Sequence, residues 1–205
     1  MKSTAALAVI LVTPGLSTAF AHGGPITNHN VMVCAEVPEG NFPFGEAREI
    51  TSGMFARIGV RVQWHRSREC PAGAIQVSFV THTPDGYRPG ALAYATPYER
   101  THIVVLLDRV ERDVPFARLA VLMAHVLAHE ITHILEGVSR HSNTGLMKAH
   151  WGPEDYCQMF YNPLPFAPED ITLIELGLEK RETLAATNGM ASGVPAELAK
   201  RDTPR

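Results

Sequence analysis

The sequence predicts an α+β domain in which helices cover a mixed β-sheet, and three observations lead to this class. Strand-like segments are concentrated in the first half of the chain, a long apolar helix follows them, and a further helix comes after an irregular loop. Elements in this order bury their apolar faces by packing helices on a sheet. The length of 205 residues suits a single domain with its own hydrophobic core.

The strands are predicted from short apolar or alternating runs that turn residues bound on either side. They fall at residues 31–37, 60–64, 74–80, 90–95 and 102–107. A helix is predicted between the first two strands, at residues 44–58. Apolar side chains recur there with helical spacing, and Gly59 supplies a stop.

The longest predicted helix runs from Phe116 to about Glu136, after Pro115 and before Gly137. Proline is tolerated in the first helical turn, and glycine is common directly after the last one. Apolar residues cover most of the circumference, so we expect this helix to be buried. We do not expect it to span a membrane, because four polar side chains interrupt it: Arg118, His125, His129 and Glu130.

The rest of the chain after this helix is less regular. An irregular loop is predicted at residues 138–165, where turn residues are frequent. A last helix is predicted at residues 168–181, and Glu169 and Asp170 lie favourably near its positive end. Residues 182–205 are weakly patterned and are predicted to be a flexible tail.

The first 21 residues have the pattern of a secretory signal sequence. Lys2 gives a positive start, the apolar run at residues 5–12 is too short to span a bilayer, and Ala19-Phe20-Ala21 fits a signal-peptidase site. Cleavage there would leave a single domain at residues 22–181, which we expect to be secreted or periplasmic.

Charge and cysteine content limit the partners and the bonding. A net charge of −3 gives no reason to expect a nucleic-acid or membrane partner, and we expect a monomer. Three cysteines in an oxidising compartment suggest one disulfide and one free thiol. We predict the pair Cys70–Cys157, because Cys34 lies in an apolar strand, where it could be a small buried side chain.

The strongest motif is His129-Glu130-Ile131-Thr132-His133 in the long helix. Its two histidines are four residues apart and therefore lie one turn apart on the same helix face, where both can reach one metal ion. The spacing is typical of zinc sites, in which a catalytic ion has three protein ligands and one water. Zinc lowers the pKa of that water, and Glu130 is predicted to act as the general base and then return the proton to the leaving amine.

The third zinc ligand is open from the residues alone. The chain can turn back after Gly137, which would bring a later residue to the ion. The alternatives are His141, Glu136, His150, Glu154 and Asp155. His125 shares the ligand face of the helix, and we interpret it as a core histidine with satisfied hydrogen bonds.

These residues resemble the metzincin clan of zinc peptidases, whose motif is H-E-x-x-H-x-x-G-x-x-H followed by a turn with a methionine beneath the metal. The pair His141-Ser142, followed by Leu146-Met147, is similar to the matrixin branch. The resemblance implies a zincin-like fold with an active-site helix and a C-terminal helix. It also implies that His141 is the third ligand and Met147 the Met-turn residue. His141 falls two residues later than the metzincin spacing, so the loop before it should be built differently.

A second stretch is similar to the matrixin strand G-x-L-A-H-A. It reads Gly90-Ala91-Leu92-Ala93-Tyr94-Ala95. The resemblance implies that a substrate peptide pairs with this edge strand, so Gly90, Ala91, Leu92 and Ala93 are predicted to bind substrate. Tyr94 replaces the histidine that binds a structural zinc in matrixins, so no second zinc of that kind is predicted.

The predicted function is that of a secreted zinc-dependent endopeptidase acting on peptides or proteins, similar to short exported bacterial proteins with the same motif order. The alternative is a zinc-binding but catalytically idle secreted protein or binding module, which would not require Glu130. A copper site at His22, the first residue after signal cleavage, is a further alternative. Trp151 and Tyr156 could line a specificity pocket, but we favour core positions for them.

Overall fold

The computed structural model describes residues 29–37, 42–99 and 101–191. Within these residues the chain forms five strands and five helices. The strands are β1 (His29–Glu36), β2 (Val60–Arg66), β3 (Ile75–Val80), β4 (Ala93–Ala95) and β5 (His102–Leu106). The helices are α1 (Phe44–Ala56), α2 (Leu107–Asp113), α3 (Phe116–Glu136), α4 (Pro153–Tyr161) and α5 (Pro168–Ala191).

The five strands form one sheet in the order β2-β1-β3-β5-β4. β1 pairs in parallel with both β2 and β3, and β3 pairs in parallel with β5. β4 lies at one edge and runs antiparallel to β5. Parallel neighbours require crossover connections, and α1 supplies the one between β1 and β2. The predicted mixed sheet with covering helices is therefore confirmed, and most of its pairs are parallel.

The hydrophobic core lies between one face of the sheet and the helices. In β2, buried Val60 and Val62 alternate with exposed Arg61 and Gln63, which is the pattern of a strand covered on one face. On the helical side, α3 packs against α1 and α5 and also contacts β4 and β5. Because α3 contacts both the sheet and the other helices, the position of its side chains is fixed on several sides at once.

The long helix α3 has the predicted limits. It ends where Gly137 adopts a φ of 71°, and the Gly137 N–H donates to the His133 carbonyl at 3.0 Å. This left-handed conformation is one that glycine adopts without strain. Among the described residues, α3 alone is long and apolar enough to cross a membrane. However, 89% of its most apolar window is buried within the fold, as in a core helix.

Three predicted elements differ from the structure. The strand at residues 90–95 is shortened to Ala93–Ala95, because Gly90 has a φ of 78° and the Ala91 N–H donates to the Arg88 carbonyl in a turn. The loop at residues 138–165 contains helix α4. The last helix continues past residue 181 to Ala191, so the predicted tail begins too early. The predicted signal sequence at residues 1–21 and the alternative copper site at His22 lie outside the described residues.

The predicted disulfide Cys70–Cys157 is wrong. Cys34 in β1 is bonded to Cys70, with the two Cα atoms 5.7 Å apart, and Cys157 is an exposed free cysteine on α4. β1 and β2 pair along their length, and the chain then turns through a short 3₁₀ helix at Ser67–Glu69. This turn brings Cys70 back beside β1, so the cysteine that looked like a core residue is the one that is bonded.

The corrected disulfide leads to a stability prediction. Under non-reducing conditions, Cys34→Ser should lower the free energy of unfolding by about 4 kcal/mol, since the bond closes a loop over a sequence separation of 36 residues. Cys157→Ser is the matched control and should change it by less than about 0.5 kcal/mol, because its thiol is exposed. Urea unfolding of both variants measures the difference. An equal loss in both would contradict the assigned pair.

Candidate metal centre

The centre of the site is the pair His129 and His133 on one face of α3. Their ring centroids are 4.8 Å apart, and their Nε2 atoms are separated by 3.1 Å. Both side chains are buried, with exposed fractions of 9% and 6%. The helical spacing therefore brings the two imidazoles together as predicted.

The hydrogen bonds at the other ring nitrogens fix which nitrogen of each histidine faces the site. His129 Nδ1 lies 3.0 Å from the Leu146 carbonyl oxygen, and His133 Nδ1 lies 3.2 Å from that of Val138. A carbonyl oxygen can only accept, so each Nδ1 must carry the proton and donate. The two Nε2 atoms then face each other with lone pairs, which is the arrangement of metal-binding histidines.

His141 completes a group of three. Its ring centroid lies 5.3 Å from that of His129 and 4.9 Å from that of His133. One nitrogen from each of the three rings lies within 4.8 Å of the others, and in the described part of the chain this is the group with the composition and spacing to hold a metal ion. The predicted trio is thus brought together in the fold.

The four alternatives for the third ligand either lie outside the group of three histidines or already bind another side chain. Asp155 Oδ2 accepts from Lys148 at 2.5 Å and from the Gly152 N–H at 2.7 Å, which caps α4. Glu136 is buried, and the nearest cationic group is Arg140 at 3.9 Å. Glu154 is exposed on α4, and His150 is exposed at the rim of the cavity next to the histidines. None of the four belongs to the three-residue group.

The loop between His133 and His141 is held by Arg140. Its guanidinium donates to Asp170 at 2.8 Å and to Glu169 at 2.5 Å, both in the first turn of α5. Asp170 is fully buried and also accepts from Ser142 Oγ at 2.5 Å. Because the residues on both sides of His141 are tied to α5, a loop two residues longer than the metzincin spacing still has a defined course.

A tight turn follows at Gly145, Leu146 and Met147. Gly145 has a φ of 71°, and a Cβ there would lie 2.3 Å from the Pro165 carbonyl oxygen, so glycine is required. The Leu146 N–H donates to that same oxygen at 2.8 Å. Met147 is fully buried in the core, and its carbonyl accepts from the Ser142 N–H at 2.7 Å. The predicted Met-turn residue therefore lies in a buried turn behind the histidines.

Burial determines the protonation of the group. Together with the charge of a neighbouring histidine, which is the second cause, burial lowers the pKa of His129 to about 3 and that of His133 to about 4. The pKa of His141 is lowered by burial and then by the charges of His150 and Arg88. All three imidazoles are therefore neutral near pH 7, which is the form that binds metal.

The geometry fits zinc. Nitrogen ligands at 2.0–2.1 Å in a tetrahedron are about 3.4 Å from one another, close to the 3.1 Å between His129 Nε2 and His133 Nε2. Two neutral acceptor nitrogens at that separation repel each other unless a proton or a cation lies between them. Since both Nδ1 atoms carry the protons, a cation is the fitting partner. The three imidazoles form a group able to bind zinc.

Glu130 and a cavity of about 380 Å³ lie beside the histidines. The Glu130 side chain lines this cavity, and its burial raises the pKa of the carboxyl group to about 8. The segment Gly90, Ala91, Leu92 and Ala93 lines it as well, although Ala93 is the first residue of strand β4. The Leu106 N–H donates to the Leu92 carbonyl at 2.8 Å, which extends the pairing with β5 by one bond.

The core position that the sequence favours for Trp151 is compatible with a second role, because Trp151 also belongs to the site. Its indole Nε1 donates to the Leu146 carbonyl at 3.1 Å, the same oxygen that accepts from His129. Its ring meets the His129 ring edge-on with centroids 5.6 Å apart. Tyr156 lines the cavity too, and its hydroxyl donates to Asp113. Both aromatic side chains pack on the core and face the cavity, so the two interpretations are compatible.

His125 has the role of a core histidine. Its Nδ1 donates to the Val121 carbonyl at 2.7 Å, and its Nε2 accepts from the Leu164 N–H at 3.1 Å. Both ring nitrogens are therefore engaged, and burial lowers its pKa to about 4. It lies on the ligand face of α3 and binds the backbone of the segment before α5, but it does not belong to the group of three histidines.

Comparisons with known proteins identify the fold. No family model matches this sequence, and no curated protein matches it. The chain is similar to the crystal structure of archaemetzincin from Methanopyrus kandleri, with a TM-score of 0.51 and 16% identity, over 76% of this chain and 98% of that one. The archaemetzincin from Archaeoglobus fulgidus, in complex with malonate, gives a TM-score of 0.45 and 12% identity, over 70% and 99%. The first of these likenesses shows that this chain shares a fold with an archaemetzincin.

Proposed function

We propose that this protein is a secreted zinc-dependent endopeptidase. The observation that carries the proposal is the convergence of His129, His133 and His141 beside a cavity that Glu130 also lines. The archaemetzincin fold and the resemblance to the metzincin and matrixin motifs support the same class of enzyme. The disulfide Cys34–Cys70 and the predicted signal sequence support export to an oxidising compartment.

The proposed reaction needs a base as well as a metal. Zinc held by the three histidines supplies a Lewis acid for the substrate carbonyl and a more acidic water. Glu130 takes the proton from the attacking water onto a carboxylate oxygen and returns it to the amine nitrogen of the leaving group. A bound divalent cation favours the ionised carboxylate, which is the form that accepts a proton. The low exposure of Glu130, 7%, limits competing water at this group.

The edge of the sheet offers a place for the substrate backbone. β4 is the edge strand, its inner side pairs with β5, and its residues line the cavity next to the histidines. A peptide that pairs with the outer side of β4 would pass along the three imidazoles in an extended conformation. This placement supports cleavage within a chain, because both ends of an extended peptide can leave the cleft.

The test combines zinc content with peptide cleavage in three proteins. Wild type should bind one zinc per chain and cleave a mixture of unstructured peptides. His141→Ala should weaken zinc binding by at least about a hundredfold, more than the loss of an outer-shell partner costs, and should lose activity. His150→Ala is the matched control: it also removes a histidine from the cavity lining, and it should bind zinc as wild type does.

Each outcome has a distinct meaning. Zinc binding by wild type without cleavage of any peptide would favour the catalytically idle alternative. Zinc loss in His150→Ala together with retention in His141→Ala would show that the ligand assignment is wrong. If the purified protein contains copper in place of zinc, the proposal that its metal is zinc would be refuted.

A further inference from the structure

The cavity beside the histidines has a charge opposite to that of the whole chain. The chain has a net charge of −3, yet the cavity is lined by the basic side chains Arg88 and Lys148 together with His150. Among the described residues that line it, Glu130 supplies the only carboxylate, and Glu130 is buried and has its proposed role in proton transfer. A cleft with cationic walls and no free acidic group favours ligands that carry negative charge.

The two strong cations of the cavity are not equivalent. Lys148 is 2.5 Å from Asp155 Oδ2, so its charge is already balanced by a carboxylate. Arg88 is exposed, and within the described residues its guanidinium has no hydrogen bond and no ion pair. Arg88 is therefore the cation that remains available to a ligand.

The backbone that carries Arg88 is fixed. Arg109 Nη1 donates to the Arg88 carbonyl at 2.7 Å and to the Ala91 carbonyl at 2.9 Å. The Ala91 N–H also donates to the Arg88 carbonyl at 3.2 Å, closing a turn directly before β4. The guanidinium of Arg109 is therefore engaged by the backbone of this turn. Because the turn fixes the backbone at Arg88, only the side chain of Arg88 has to become ordered when a ligand binds.

Arg88 also lies close to the proposed reaction centre. It lines the same cavity as His129, His133 and His141, and its positive charge acts on the His141 ring. It precedes by five residues the strand β4, beside which a substrate backbone would run. A group bound by its guanidinium would therefore belong to a residue near the bond that is cleaved.

We propose that Arg88 selects peptide substrates that carry a carboxylate close to the scissile bond. The planar guanidinium matches a carboxylate with two parallel hydrogen bonds, which an amide of the same shape cannot replace with equal strength. The carboxylate would come from an acidic side chain if the peptide is cleaved within its chain, or from the C-terminus if a short peptide is cleaved near its end. This inference rests on the proposed peptidase function and adds the class of substrate to it.

The test uses fluorogenic peptides that differ only in charge. One pair has Glu or Gln next to the scissile bond with an amidated C-terminus, and a second pair has Gln there with a free or an amidated C-terminus. For wild type, a carboxylate in at least one pair should raise kcat/KM by about tenfold, the effect of a hydrogen bond to a charged group. Arg88→Gln should remove this preference, so that the carboxylate and neutral peptides of that pair are cleaved with equal kcat/KM.

Arg61→Gln is the matched control. Arg61 is exposed on β2, at the opposite edge of the sheet from β4, so the same charge change there should leave the preference intact. The pair that shows the preference identifies the source of the carboxylate. Equal kcat/KM within both pairs in wild type, or a preference that survives in Arg88→Gln, would overturn the proposal while leaving the peptidase function standing.

A binding measurement separates this proposal from the peptidase function. Labelled Glu and Gln peptides are titrated into zinc-loaded Glu130→Gln protein and followed by fluorescence anisotropy. The carboxylate peptide should bind about tenfold more tightly at low salt, less so at high salt, and without preference in the variant that also has Arg88→Gln. If the Glu130→Gln protein shows this binding preference but wild type cleaves no peptide, the result would support the Arg88 site and refute the peptidase function. No preference in binding would overturn the Arg88 site.

Discussion

Replacing Glu130 with glutamine should lower kcat/KM for peptide cleavage by about 10²–10⁴-fold, the usual contribution of a general base, while the zinc stays bound. Glutamine has nearly the same shape, so the packing of α3 around it is retained. It cannot take a proton from the attacking water. The experiment compares the steady-state rate with the zinc content of the same preparation, because loss of metal would produce the same loss of activity for a different reason.

Glu136→Gln is the control for this experiment. Glu136 lies on the same helix and is equally buried, with 7% exposure, but it does not line the cavity. Burial raises its pKa to about 7, so a neutral side chain is already well populated there near neutral pH. This variant should keep most of the wild-type rate. Equal activity of Glu130→Gln and wild type would rule out Glu130 as the base.

Gly177→Ala should lower the free energy of unfolding by about 3 kcal/mol, the top of the usual range for overpacked sites. A Cβ at this position in α5 would lie 1.7 Å from the Leu135 carbonyl oxygen and 2.8 Å from its carbon. Both are backbone atoms of α3, so no side chain can move aside. The two helices would have to separate, and the contact between them would be lost along its length.

The matched control for this prediction is Gly53→Ala in α1. A Cβ there meets nothing within 4 Å, so the change should stabilise the protein by about 0.5–1 kcal/mol through the helix preference of alanine. Urea unfolding of both variants gives the comparison. If Gly177→Ala unfolds at the wild-type urea concentration, α5 does not approach α3 as closely as the structure shows.

The fold was predictable where the signal is local. The limits of α3 follow from a long apolar run and from Gly137, whose left-handed conformation ends the helix. Helix α4 was missed because it is only nine residues long, and because its cap is Gly152 with Asp155 three residues later rather than a serine or threonine. The extension of α5 was missed because most residues beyond 181 are small or polar, although no glycine or proline interrupts them before Gly189.

Contacts between residues that are far apart in the chain explain which parts of the site could not be predicted from the sequence. The pairing of His129 with His133 follows from helix geometry alone, and the approach of His141 followed only from a resemblance. Their roles as zinc ligands stay predictions until metal is measured. Arg88 reaches the same cavity from a turn 41 residues before His129, and no spacing rule connects them. The disulfide was misassigned for a similar reason, since the approach of Cys70 to Cys34 depends on the pairing of β1 with β2.

The Leu146 carbonyl oxygen accepts hydrogen bonds from both His129 and Trp151, and this shared acceptor gives the protein an internal optical probe. The chain contains two tryptophans, and the other, Trp64, donates to Ser52 in α1, away from the cavity lining. Any displacement of the His129 ring or of the turn at Leu146 changes the surroundings of the Trp151 indole. Ultraviolet emission from the unlabelled protein therefore contains one component that responds to the state of the three histidines and one that does not.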